Sequence, residues 1–110
     1  MRIIPVHVVD EREQKRLFGV LLGAGWKMQW QYVQPCGWRN FGLSANLILL
    51  DEYCDQQPGV DIIHDWTHPK TGRVYTTDDD VNFKSMLLTN REDETHVREM
   101  RLTAMIDVEV

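Results

Sequence analysis

The 110 residues suffice for one domain and are too few for two, and a composition 43% hydrophobic and 26% charged excludes a disordered chain. The net charge of −5 is unevenly spread: residues 1–76 balance eight acids with eight bases, whereas residues 77–110 set nine acids against Lys84, Arg91, Arg98 and Arg101. That acidity disfavours direct binding to nucleic acid or to an anionic membrane and suits a partner protein with a basic surface.

Ile3 to Val9 is rich in β-branched residues and reads as a first strand, with Pro5 placing it at an edge. Asp10 has the place of a helix N-cap, and Glu13 three residues on completes a capping-box pattern. A helix follows over Glu11–Ala24. Leu17, Leu21 and Ala24 share one face, with Phe18 and Leu22 beside it, and Gly25 is set to end the helix in a left-handed conformation. Gly19 and Gly23 weaken this helix, and a close approach to the sheet is their expected compensation.

At Trp26 the period changes to two. Trp26, Met28, Trp30 and Tyr32 alternate with Lys27, Gln29 and Gln31, as in a half-buried strand. Pro35-Cys36-Gly37 turns the chain. Phe41, Leu43, Ala45, Leu47 and Leu49 alternate with Gly42, Ser44, Asn46, Ile48 and Leu50, which predicts a second long strand antiparallel to the first. Asp51 to Gly59 reads as a polar loop. Val60, Ile62, His64 and Trp66 alternate again, and Pro69-Lys70-Thr71-Gly72 predicts a turn that makes a hairpin with Arg73 to Thr77. Asp78-Asp79-Asp80 suits the start of a short helix through Leu88, yet Val81, Phe83, Ser85 and Leu87 alternate, so helix and strand both stay open. Arg91 to Thr95 is a charged loop. Met100, Leu102, Ala104, Ile106, Val108 and Val110 form one apolar face of a long last strand.

The expected fold is therefore α+β: a single domain, 1–110, with a largely antiparallel sheet of about five strands and one main helix packed on one face. No apolar run approaches the roughly 20 residues of a spanning helix, and the Met1–Val6 start lacks an apolar leader, so the expectation is a soluble, cytoplasmic protein.

Several residues could carry chemistry. His64 and His68 stand at i and i+4, a metal-chelating spacing on a helix, but alternation and Pro69 favour extended chain, which sets their Cα atoms about 13 Å apart. Cys36 and Cys54 lack the paired spacing of a zinc site and are expected as reduced thiols; a nucleophilic Cys36 would need His7, His64, His68 or His96 folded against it. Asp78, Asp79 and Asp80 do not point one way and lack the spaced ligands of a calcium loop. Gly23-Ala24-Gly25 follows a helix, the reverse of a phosphate loop. Trp38-Arg39 at a turn has the composition of an interface hot spot.

Three functions follow as expectations. The first is a non-enzymatic, acidic protein-binding factor without cofactor, such as an inhibitor, an immunity protein or an accessory protein of a phage or mobile element. Its partner-binding residues would be Trp38, Arg39, Asp78, Asp79, Asp80, Glu92, Asp93 and Glu94. The second is a subunit of a symmetric assembly, such as a phage particle, formed as a homo-oligomer through the long terminal strand. The third is a small metal-dependent hydrolase using His64 and His68.

Overall fold

The computed structural model describes residues 2–6 and 11–106, so Asp10, the end of the predicted first strand and residues 107–110 of the last lie outside the described residues. In chain order the elements are β1 (Arg2–Val6), α1 (Glu11–Gly23), β2 (Lys27–Gln34), β3 (Gly37–Asn40), α2 (Leu43–Cys54), β4 (Gly59–Thr67), β5 (Val74–Asn82), β6 (Leu87–Asn90) and β7 (Val97–Ile106). The α+β class stands. The expected five strands are seven among the described residues, and the one helix is two.

All pairings are antiparallel, in the order β3-β2-β7-β6-β5-β4, with β1 laid against the far half of β7. The ten-residue β7 makes the sheet continuous. Its first residues, Val97–Glu99, pair with β6, while Met100–Met105 pair with β2. The sheet curls around the side chains of its inner face, in a molecule 38 × 36 × 20 Å.

Its aromatic centre follows from the period-two pattern of β2. Trp30 is fully buried, with Tyr53 edge-on at 5.2 Å and Phe83 at 5.5 Å, while Tyr32 packs on Phe41 at 4.8 Å. Helix α1 buries Phe18 and Leu21 against this core; Leu22 and Ala24 point away from it. It ends as its sequence suggests: Gly25 has φ +88°, Trp26 N–H reaches Leu21 C=O and Gly25 N–H reaches Leu22 C=O. Gly19 and Gly23 do not approach the sheet; both face open space. The close approach lies at Gly59 instead, where an added Cβ would stand 2.2 Å from the Val81 carbonyl oxygen.

The largest correction concerns residues 41–50. They form no long strand, and β2 pairs instead with the short β3 and with β7. The segment Leu43–Cys54 is helical, and the predicted loop from Asp51 begins inside its last turn. Phe41, Ala45, Leu49 and Tyr53 recur every four residues, and all lie in the core or packed against it. Its composition, with four leucines and a single β-branched residue, favours helix as well. Asn46 fixes the result. Its side-chain Oδ1 accepts from Trp30 N–H at 2.7 Å and its Nδ2 donates to Met28 C=O at 3.2 Å, so the amide stands in for a strand beyond the end of β3.

The segment 78–88 is no helix. β5 runs to Asn82, whose Oδ1 accepts from the N–H groups of Lys84 and Ser85, and the chain returns as β6. The hairpin of β4 and β5 forms as expected around the Pro69–Gly72 turn. Among the described residues no helix is long and apolar enough to cross a membrane.

Candidate functional site

Two regions of the β4–β5 hairpin gather polar chemistry, one on each face. Alternation separates them. His64, Thr77 and Asp79 point inward, while Asp61, Asp65, Asp78 and Asp80 point outward.

The inner group is a closed clamp. His64 Nε2 lies 2.6 Å from Asp79 Oδ2 in a buried pair, and Thr77 Oγ1 donates to the same oxygen at 2.9 Å. Burial pushes the Asp79 carboxyl up; the hydrogen bonds from His64 and Thr77, then the neighbouring charges of His64 and Arg98, outweigh it and hold the carboxyl below its ordinary value. Tyr32 and Phe41 flank the imidazole at 5.4 and 5.1 Å. A cavity of about 10 Å³ adjoins the pair, lined among others by Asn90, His96 and Arg98, which is at the lower limit for one water molecule. A hydrolytic triad puts the carboxylate on one imidazole nitrogen and the nucleophile on the other. Here Asp79 and Thr77 both crowd Nε2, and Nδ1 is buried with no hydrogen-bond partner. The arrangement holds two strands together and leaves no room for a substrate.

His68 stands apart from this pair. Its Nδ1 accepts from the N–H groups of Lys70 and Thr71 in the hairpin turn. Among the described residues no group of three or more His, Cys, Asp or Glu side chains is placed to hold a metal ion. Cys36 and Cys54 are both free and lie at exposed positions. The Cys36 sulfur accepts from the Arg39 guanidinium at 3.1 Å. Partial burial of its sulfur, with Asp55 and Asp51 nearby, pushes the Cys54 thiol up, away from reactive thiolate.

The outer face is open and acidic. Asp61 and Asp80 are paired across the strands, and Arg91 reaches Asp61 at 2.7 Å, Asp80 at 3.7 Å and Asp78 at 3.9 Å. A hydrogen bond shared with Asp61 raises the Asp80 carboxyl above its ordinary value; slight burial and the Asp61 charge add to this. The run Asp78-Asp79-Asp80 is thus divided: Asp79, 6% exposed, belongs to the interior and cannot share a partner surface with its neighbours. Glu92, Asp93 and Glu94 sit in the exposed β6–β7 turn. Asn90 Oδ1 accepts from the N–H groups of Glu92 and Asp93, and hydrogen bonds from Thr95 hold the Asp93 carboxyl below its ordinary value.

Trp38 and Arg39 also part company. The Arg101 guanidinium covers the Trp38 ring at 4.2 Å and is itself held by Gln31, so this aromatic face is already occupied. Arg39 instead lines a cleft of about 680 Å³. Its walls come from the two terminal strands of the sheet: Arg39 and Asn40 of β3 on one side, Asp65, Trp66 and Thr67 of β4 on the other. A second hollow of about 270 Å³ adjoins it between Ile63–Asp65 and the start of α2. Sequence reading overlooked this seam, because its formation depends on α2 being a helix.

A scan against protein-family models and a search of curated proteins find no match to this chain.

Proposed function

We propose that this domain is a protein-binding factor that engages a basic partner through the outer face of the β4–β5 hairpin. The observation that carries this reading is the clustering of Asp61, Asp65, Asp78 and Asp80 on one exposed sheet face, with the single guanidinium of Arg91 shared among three of them. Carboxylates so placed attract cationic side chains and speed encounter with a basic surface. The inner polar group, closed around His64 and Asp79, supports a binding role over a catalytic one. Affinity capture from the source cell, run in parallel on the wild type and on a variant with Asp65, Asp78 and Asp80 changed to Asn, tests it. A basic protein retained in stoichiometric, salt-sensitive complex by the wild type alone is expected; equal retention by both proteins sinks the proposal.

A second reading rests on α2. Leu43 and Leu47 are 76% and 57% exposed, with Ile48 beside them, and an assembly of identical subunits would cover this apolar stripe. Sedimentation at micromolar concentration checks it, with a monomer as the result against it.

A further inference from the structure

We infer that the partner binds as an added β-strand along the free edge of β4, and that the segment it offers carries Lys or Arg at every second position. This rests on the proposed protein-binding role and specifies how it is carried out. The backbone pattern comes first. His68 N–H bonds Arg73 C=O and Phe83 N–H bonds Pro58 C=O, so the even-numbered residues of β4 exchange their hydrogen bonds with β5. The odd-numbered residues Asp61, Ile63, Asp65 and Thr67 therefore turn N–H and C=O away from β5. β4 is terminal in the sheet order, and from Ile63 to Thr67 this edge borders the two adjoining hollows. An extended segment of about four residues fits that length at about 3.3 Å per residue.

Charge selects the occupant. A second copy pairing edge to edge about Ile63 would set Asp61 against Asp65, and pairing about Asp65 would set two Asp65 carboxylates together; like charges directly opposite oppose both. A cationic strand meets the reverse. Its basic residue opposite Asp65 pairs with that carboxylate, and one opposite Ile63, whose side chain is 70% exposed, lays its stem over the isoleucine and reaches Asp78 on β5. The residues between them face the cleft, where Tyr32, Gln34, Arg39 and Asn40 supply mostly polar contacts.

The test compares a synthetic peptide alternating lysine and threonine with an isomer of the same composition whose lysines are grouped at one end. Each is titrated against isotope-labelled protein while amide shifts and hydrogen exchange are followed. The expected result is tenfold or tighter preference for the alternating peptide, with new protection at the amides of Ile63, Asp65 and Thr67. Asp65→Pro and Thr67→Pro remove edge donors that β5 does not use, and each should weaken binding at least tenfold while the remaining sheet amides keep their protection. Equal affinity for both isomers, unprotected edge amides, or indifference to both proline variants overturns strand addition. If binding is then still lost on changing Asp78 and Asp80 to Asn, the acidic face stands as a docking surface without it; if the capture experiment also shows no charge-dependent partner, the underlying role falls too.

Discussion

Asp79 and Asp80 are neighbours in one strand and have opposite fates. Asp79 is buried, accepts from His64 and Thr77 and is held ionised below its ordinary carboxyl value; Asp80 lies in solvent, shares a hydrogen bond with Asp61 and is raised above it. Side-chain alternation alone separates them. The comparison teaches that one acidic run can serve two ends: the inward carboxylate fastens the hairpin, and the outward ones leave a charged surface free for a partner.

The sharpest way to break the comparison is Asp79→Leu. It strands His64 in the interior beside an already unpartnered Nδ1, and the loss should be about 3 kcal/mol. Urea unfolding measures it. Changing His64 and Asp79 to Leu together should recover much of that loss, since no polar atom is then abandoned. A double variant as unstable as the single one would show that the pair is not a unit.

The pH dependence follows from the same pair. The Asp79 carboxyl lies below its ordinary value of 3.8, so its contribution is fully present above that value and disappears as pH falls further, through its lower value in the fold. Asp80 works the other way: its carboxyl is raised, so stability declines slightly as pH rises through the window just above 3.8. Thermal unfolding across this range should show the steep acid loss vanish in Asp79→Leu and persist in Asp80→Asn.

Away from the hairpin, Asn46→Leu asks whether buried polar groups elsewhere follow the same rule. It abandons Trp30 N–H and Met28 C=O together, for about 2 kcal/mol, and exchange at the Trp30 amide should quicken.

These residues also mark what could be read from the chain. Alternation through Ile62, His64 and Trp66 made the hairpin legible and placed His64 in the strand, with His68 just past its end at the turn, and it already implied that three consecutive aspartates could not point one way. Gly25 announced the end of α1. Residues 41–50 were illegible for a definite reason: a run with an apolar residue at every second position, Phe41 to Leu49, also carries Phe41, Ala45 and Leu49 every fourth, and the two periods compete. Asn46 was the available clue, a polar residue amid apolar ones whose amide had to find partners. Missing that helix hid the seam, because the terminal strands face one another only when α2 occupies the rest of the opening between β2 and β4. Nothing local distinguishes Trp38, whose ring face is taken by an arginine 63 positions away in sequence.

The mildest change is Asp80→Asn. Removing a carboxylate that shares a hydrogen bond with Asp61 relieves repulsion on an exposed face, where solvent screens most of the effect, so a gain of about a few tenths of a kcal/mol is expected. That gain should shrink with added salt, because screening already supplies in the wild type what the substitution supplies at low ionic strength. Both trends can be read from unfolding curves at two salt concentrations. The small number carries weight when set beside Asp79: if Asp80→Asn were as damaging as Asp79→Leu, the outer carboxylates would be structural, and an acidic surface held in reserve for a partner could not be claimed. A slight stabilisation instead identifies Asp80 as a residue whose charge the fold tolerates without needing it.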